Sequence, residues 1–144
     1  MTRKSAVIVD AEVTNQKVFL DVKGRIITLS TLKVSEGLKG AKLGQELVLY
    51  QVGGELDGRV ARIQGASIYR PGERVVLFAQ PFRSQIVSYG LGLGKFNVVR
   101  THHGAEVVED IHDVHVLNGK SFQTPKPRRF PSLEAFKTEI RGAL

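Results

Sequence analysis

Apolar side chains recur at every second position along much of the first hundred residues, which is the spacing of strands that bury one face. The segment 5–13 shows it first, with Val7, Val9 and Val13 on one face. We predict strands over the segments 5–13, 18–22, 25–34, 45–52, 59–64, 74–79, 85–89 and 96–100. Short strands spaced in this way favour an antiparallel sheet that closes as a barrel or packs as a sandwich. The lack of helical stretches between them argues against a parallel sheet.

Glycine, proline and asparagine mark the expected turns. Asn15 is expected to form a turn or bulge, and the two glycines of Glu36–Gly40 to bracket a short bend. Gly53–Gly54 is expected to end a strand, and Pro71–Gly72 to form a tight turn. We therefore expect the chain to change direction at each of these points.

The pattern changes after Arg100. Patchy alternation over 102–120 predicts a further hairpin, and the prolines of the segment 124–131 predict an extended linker, because proline cannot continue a helix. Ser132 is a good N-cap for a helix with one apolar face. That face is expected to hold Leu133, Phe136, Ile140 and Leu144.

The composition limits what kind of protein this is. The 144 residues suit one domain, and a hydrophobic fraction of 42% is enough for a core. The chain has no cysteine, which excludes disulfides and cysteine-ligated metal sites. It has no apolar run of about 18 residues, so we expect no membrane insertion. The apolar stretch Ala6–Val9 is too short for a signal peptide, so no export signal is expected in the chain as it stands.

All the histidines fall between positions 102 and 115, together with several carboxylates. Imidazole and carboxylate groups are ligands for zinc and other divalent metals, which makes His103, His112 and His115 the metal candidates. On a strand, His112 and His115 would face opposite sides, which spoils a shared site, whereas His103 and His115 could still meet across a hairpin. We therefore expect an exposed polar hairpin without a metal, and we predict no cofactor.

No other motif indicates an enzyme. In the glycine run Gly90–Gly94 the glycine spacing is one residue short of a phosphate loop, and Phe96 follows Lys95 where that loop has serine or threonine. We expect a sharp β-bend there instead. The chain has no Gly-x-Ser-x-Gly nucleophile elbow. We predict no enzymatic activity and no catalytic residue.

An ordered set of short motifs points to a family. The motifs are Val34-x-Glu36-Gly37-Leu38-Lys39-Gly40, Val48 followed by Gly53-Gly54, Ile63-x-Gly65, Tyr69-x-Pro71-Gly72-Glu73-Arg74-Val75-Val76-Leu77-Phe78, Gly94-Lys95-Phe96-x-Val98 and Ser132-Leu133-x-x-Phe136. Over roughly residues 5–144, this set resembles a group of uncharacterised bacterial exported proteins. Their layout is similar to the netrin-like, or tissue-inhibitor-of-metalloproteinase-like, OB-fold barrel. Netrin-like inhibitors use disulfides and an N-terminal cysteine, so their inhibitory mechanism does not carry over to a chain without cysteine.

The resemblance implies a mainly β fold, an antiparallel OB-like barrel with one C-terminal α-helix. It also implies a periplasmic or extracellular location if a signal peptide has been removed, and a cytoplasmic one otherwise. We predict a single domain with a barrel over 1–123 that includes the late hairpin, a proline-rich linker over 124–131, and a helix over 132–144 packed on the barrel.

The function predicted is that of a binding or accessory domain that recognises another protein. The net charge of +7 keeps a second reading open, an OB-type protein that binds single-stranded nucleic acid through basic and aromatic side chains. The candidate binding residues are Arg62, Tyr69, Arg70, Arg83, Tyr89, Lys95, Arg100, Arg128 and Arg129, with Phe82 as a further aromatic. A metal-dependent hydrolase that uses His102–His115 is the third alternative. The sequence leaves the oligomeric state open.

Overall fold

The computed structural model describes residues 1–62, 66–90, 93–102, 104–110 and 127–144, together with the backbone of 116–118 and 121–123. In these residues the chain is mainly β with one C-terminal α-helix, as predicted. The described strands are β1 (Val7–Leu20), β2 (Ile26–Lys39), β3 (Glu46–Val52), β4 (Gly54–Leu56), β5 (Arg59–Ala61), β6 (Arg74–Phe82), β7 (Gln85–Ser88), β8 (Lys95–Thr101), β9 (Gly104–Glu109), β10 (Val116–Asn118), β11 (Ser121–Gln123) and β12 (Arg129–Phe130). The helix α1 spans Leu133–Gly142.

The strands β1, β2, β3, β7 and β6 pair in an order that returns to the first strand. β1 pairs antiparallel with β2, β2 with β3, β7 with β6, and β6 with β1. β3 and β7 run parallel and pair at Leu49 and Ile86. The prediction of an entirely antiparallel sheet is therefore wrong at this pair. The hairpin formed by β6 and β7 brings β7 beside β3 in the same direction, which alternation within a strand does not reveal.

Alternation sorts the apolar side chains onto two faces of the sheet. We call the face that carries the first core cluster the inner face; this cluster includes Val9, Leu49 and Leu77. The opposite, outer face carries a second cluster, in which the rings of Phe96 and Phe136 lie 4.9 Å apart. The helix α1 is thus held against the outer face by aromatic contacts.

β1 and β2 are longer than the sequence predicted. A register shift between Val13 and Asn15 places a bulge at the expected position, but the strand continues through it to Leu20. The bend expected in Glu36–Gly40 is wrong, because β2 runs on to Lys39. Gly37 has a different role there, since a Cβ on it would lie 1.8 Å from the carbonyl oxygen of Ala41.

The glycine run Gly90–Gly94 lies between β7 and β8, which pair with successive parts of β6. Both β7 and β8 pair with β6, and the peptide groups of Phe78 bridge the gap between them. The amide of Tyr89 donates to Phe78 O at 2.9 Å, and the amide of Phe78 donates to Gly94 O at 2.9 Å. A Cβ on Gly94 would lie 2.5 Å from Phe78 O, so this close approach requires glycine. The sharp bend expected at Gly90–Gly94 is confirmed at its two ends; residues 91–92 lie outside the described part.

The C-terminal third departs from the prediction in its pairing. β9 pairs with β8 instead of forming a hairpin inside 102–120, while the backbone of β10 pairs with β11. Within the segment expected as a linker, Arg129–Phe130 forms β12 and pairs with β9; residues 124–126 lie outside the described part. The alternation after residue 100 was too weak to show which strands are partners.

The helix begins as predicted. The Oγ of Ser132 accepts a hydrogen bond from the amide of Ala135 at 3.1 Å, which is the geometry of an N-cap. Leu133, Phe136 and Ile140 are buried against the sheet, but Leu144 is 54% exposed. The assignment of Leu144 to the apolar face is wrong, because the helix ends at Gly142.

Charged side chains also join α1 to the sheet. The buried Asp10 carboxylate accepts a hydrogen bond from Arg74 (Nη2–Oδ2 2.7 Å) and lies 2.8 Å from Lys137 Nζ. Lys137 Nζ also lies 3.1 Å from Glu36, which Arg141 contacts at 2.6 Å. Burial raises the pKa of Asp10, but the hydrogen bonds from Arg74 and Lys137 outweigh it and hold this pKa below its usual value. The helix is therefore fixed by a charge network as well as by apolar packing.

Candidate functional site

The outer side of β2 and β3 carries a row of cross-strand neighbours away from α1. Because Leu49 lies in the first core cluster, Tyr50 at the next position points to the outer face. The strand register places Tyr50 opposite Leu29, and Leu29 opposite the exposed Lys17. A neighbouring row consists of Phe19, Ile27 and Val52.

An aromatic pair with a cation adjoins this row. The ring centroids of Tyr50 and Phe82 lie 5.0 Å apart, and Arg83 Cζ lies 5.3 Å from the Phe82 centroid. Both rings are partly exposed, and Arg83 is exposed. We call the surface formed by Lys17, Leu29, Tyr50, Phe82 and Arg83 the open face. It offers an aromatic centre and two positive charges.

The backbone of Arg83 is strained. Arg83 and Ser84 form the two-residue turn between β6 and β7, and Arg83 has φ 57°. The first position of such hairpin turns favours glycine or asparagine, because a Cβ is crowded in the left-handed region. A non-glycine residue in that region costs on the order of 1 kcal/mol. Residues with such strain are concentrated at functional sites.

The helix α1 leaves the open face uncovered. It packs at the far end of β2, where Lys137 and Arg141 contact Glu36. Tyr50 and Leu29 lie nearer the opposite end of β2, next to the turn that follows β3. Aromatic surface is therefore accessible on this part of the sheet.

A second concave feature lies at the polar end of the inner face. It is a cavity of about 280 Å³, which we call the mouth, bordered by Gln16, Thr28, Gln51, Arg62 and the segment 66–70. Gly53 and Gly54 both have positive φ, and a Cβ on Gly54 would lie 2.3 Å from Thr28 Oγ1. The chain can approach β2 this closely only because glycine stands there.

Two glutamines hold the segment 66–70 across the end of the sheet. The side-chain amide of Gln51 donates to Ser67 O at 2.8 Å, and that of Gln16 donates to Tyr69 O and to Ser30 Oγ. Thr28 Oγ1 donates to Gly53 O at 2.8 Å. The fold thus engages the Thr28 hydroxyl, both N–H groups of the Gln16 amide and one of the two of the Gln51 amide.

Among the described residues, the arginine side chains at the mouth have no such partners. Arg62 and Arg70 are exposed, and neither guanidinium pairs with a carboxylate among the described residues. Glu55 is also exposed at the border. Two cations against one carboxylate make the mouth electropositive.

Lys95 and Tyr69 lie beneath the surface. Lys95 is 1% exposed, its Nζ donates to Ile68 O at 2.7 Å, and it lies 3.4 Å from Glu73. Lys95 Nζ also lies 4.7 Å from the ring centroid of Tyr69. Burial raises the pKa of Tyr69 well above its usual value, so this phenol stays neutral. The cluster closes off the interior behind the segment 66–70.

The structure separates the candidate binding residues predicted from the sequence. Arg62, Tyr69 and Arg70 border the mouth, and Arg83 lies on the open face. The remaining candidates lie elsewhere: Lys95 in the interior, Tyr89 against the second core cluster, Arg100 exposed on β8, Arg128 paired with Glu109, and Arg129 paired with Glu106.

The metal candidates His103, His112 and His115 lie outside the described residues. Within the described part of the chain, no three histidine, aspartate or glutamate side chains are grouped so that they would hold a metal ion. Sequence reasoning missed Lys17, Leu29 and Tyr50. The signal was present in the alternation of β3, which places Tyr50 on the face opposite Leu49.

In the part of the chain that the structure describes, no helix is both long and apolar enough to cross a bilayer. Comparisons with protein-family models, with curated proteins and with solved structures found no match for this chain.

Proposed function

We propose that this chain is a non-enzymatic binding domain that recognises another protein through its open face. The observation that carries the proposal is the pair of Tyr50 and Phe82, 5.0 Å apart, with the guanidinium of Arg83 over the Phe82 ring. Tyrosine, phenylalanine and arginine are enriched at the centres of protein interfaces, where tyrosine and arginine contribute most of the binding energy. The strained backbone at Arg83 supports a functional reason for the side chain.

The charges around the open face favour a protein over a polyanion. On the outer face, beyond the aromatic centre, the register aligns Glu12, Lys33 and Glu46 in one exposed row. A rim with both signs of charge is typical of a protein interface, whereas a nucleic-acid groove is lined by cations.

We propose further that the strand ring is an OB-like barrel. The pairing order β1–β2–β3–β7–β6, with β6 returning to β1, supports a five-stranded closed arrangement. In OB barrels the face of the second and third strands binds oligonucleotides and oligosaccharides, and this face corresponds to β2 and β3 here.

We also propose that the domain acts outside the cytoplasm. This proposal is supported only by the resemblance of its motifs to those of exported bacterial proteins. Fractionation of the native host, followed by immunoblotting, tests it: recovery in the envelope or culture supernatant is expected, and recovery in the cytosol alone contradicts it.

Single-stranded nucleic acid is the second candidate ligand. The specific observation in its favour is the aromatic pair, because exposed rings can stack on bases and Lys17 and Arg83 lie beside them. This second candidate predicts that the affinity for the nucleic acid falls steeply as the salt concentration rises.

The experiment first identifies a partner by capture and then compares its affinity for the wild-type domain and for variants of the open face. Proteins captured by the immobilised domain from envelope and supernatant fractions are identified and purified, and their Kd values are measured by calorimetry. We expect Tyr50→Thr and Arg83→Gly each to weaken binding by about tenfold or more, as loss of an interface centre does. Unchanged Kd values in both variants would contradict the proposal.

Asp57→Gly is the matched control for Arg83→Gly. Asp57 is also a non-glycine residue with positive φ, at 50°, but it lies in the turn between β4 and β5. Its replacement is expected to leave the Kd unchanged. A labelled oligothymidine is titrated in parallel at two salt concentrations. If it binds and Tyr50→Thr abolishes this binding, the ligand is nucleic acid and the protein-recognition proposal is overturned.

A further inference from the structure

We propose that the mouth is a second binding site, which takes a carboxylate carried on a small apolar body. The mouth is separate from the open face, and this proposal does not depend on the role proposed for the open face. A free organic acid and the C-terminus of a polypeptide share this chemistry.

The charge at the mouth selects an anion. The side-chain amide of Gln16 uses both of its N–H groups on Ser30 Oγ and Tyr69 O, and that of Gln51 uses one of its two on Ser67 O. The positively charged donors at the border are the guanidinium groups of Arg62 and Arg70, which have no carboxylate partner among the described residues. A guanidinium binds a carboxylate through paired hydrogen bonds, which makes an acid the natural ligand.

The walls of the mouth select an apolar body. Val18, Val60 and Ile68 border the cavity, and Val60 is 58% exposed, which is unusual for a valine in a strand. The cavity volume of about 280 Å³ is close to the lower end of the range of small-molecule sites, roughly 300–1,000 Å³. An aromatic or branched aliphatic group fits this size and would cover Val60.

The negative charge of Glu55 makes the preference of the mouth for an anion testable. Glu55 borders the same cavity and would repel an incoming carboxylate. Neutralising it should therefore strengthen binding of an acid, whereas neutralising the arginines should weaken it. A site with no preference for charge would show neither effect.

The test is a titration followed by ¹⁵N–¹H correlation spectra of the full chain. The probes are benzoate with its neutral counterpart benzamide, and N-acetylphenylalanine with its carboxamide. We expect both acids to shift the amide signals of Thr28 and Ile68 in a saturable way and both amides to leave them unshifted. Tighter binding of N-acetylphenylalanine indicates a chain terminus, and tighter binding of benzoate indicates a free acid.

The variants complete the design. The double variant Arg62→Gln, Arg70→Gln should bind the acids about tenfold or more weakly, since two charged hydrogen-bond donors are lost. Glu55→Gln should raise the affinity for the acids by about twofold. The charge-matched control is Lys4→Gln with Lys42→Gln, two exposed lysines that lie away from the mouth, and it should not change the affinity. Equal binding of acids and amides, equal loss in both double variants, or no saturable shift of Thr28 and Ile68 would overturn the proposal.

Discussion

The ammonium group of Lys137 lies 2.8 Å from the buried carboxylate of Asp10, which joins the C-terminal helix to the first strand of the chain. Both side chains are at most 5% exposed. The ammonium also lies 3.1 Å from Glu36, and Arg74 donates to the same Asp10 carboxylate. Each buried charge therefore has a partner, as burial demands.

Removing Lys137 should destabilise the fold. Lys137→Met keeps the apolar stem of the side chain but leaves Asp10 with one cation, so we expect the free energy of unfolding to fall by about 3 kcal/mol. Urea denaturation measures it. Glu139→Gln, an exposed change on the same helix, should change the free energy of unfolding by less than about 0.5 kcal/mol. Equal effects of the two substitutions would show that the buried pair contributes no stability.

Stability should fall in acid through Asp10. Its pKa in the folded state lies below the unfolded value of 3.8, so its contribution is complete above that value and is lost as the pH falls through the folded pKa. Urea midpoints measured between pH 7 and pH 2 should therefore decline most steeply below about pH 4. Asp10→Asn should be less stable at pH 7 and show a shallower decline. A variant with the same acid slope as wild type would contradict this assignment.

Removing the helix N-cap should have a moderate effect. Ser132→Ala loses the hydrogen bond from the amide of Ala135, which is expected to cost about 1 kcal/mol. Ser35→Ala is the control, because Ser35 is exposed on β2. Thermal unfolding followed by circular dichroism compares the two, and a larger shift for Ser35→Ala would argue against the cap.

Arg83→Gly should not lower stability. The variant relieves the positive φ at the turn and loses the cation–π contact with Phe82, and these effects oppose each other within about 1 kcal/mol. The expected free energy of unfolding is equal to or slightly above that of wild type. A loss of more than about 2 kcal/mol would mean that Arg83 serves the fold.

Gly94→Ala should be destabilising, although alanine is accepted at many glycine positions. The added methyl group would lie 2.5 Å from Phe78 O and 2.8 Å from Ser88 Oγ, so we expect a loss of about 2 kcal/mol from overpacking. Gly142→Ala is the matched control, because nothing lies within 4 Å of a Cβ there. It should leave stability unchanged or raise it by up to about 1 kcal/mol. Equal results for both would show that the approach of Gly94 to Phe78 is not tight.

Much of the local structure could be predicted. Alternation located the central strands, and the Ser132 cap with Leu133, Phe136 and Ile140 located the helix, because these depend on residues a few positions apart. The end of β2 was misplaced because Gly37 was assigned to a bend, whereas it makes room for the carbonyl of Ala41. A glycine needed for a distant contact looks the same in the sequence as one needed for a turn.

The candidate sites were less predictable than the fold. The candidate arginine, lysine and tyrosine residues were chosen by residue type, which grouped Tyr69 and Lys95, buried in the structure, with exposed residues such as Arg83. The open face depends on Tyr50 meeting Phe82, which the parallel pairing of β3 with β7 makes possible. No spacing within either strand contains that information.

The sequence by itself determined that the chain is mainly β, which residues alternate between two faces, and where the final helix starts, since these follow from local periodicity and capping. The tertiary structure alone decided which strands are neighbours, which charges are buried as pairs, and which aromatic rings meet on an exposed surface. The physical reason is that pairing and burial are set by contacts between residues far apart in the chain. The bond between Asp10 and Lys137 is the clearest case, because neither residue is distinguished in the sequence from the charged residues around it.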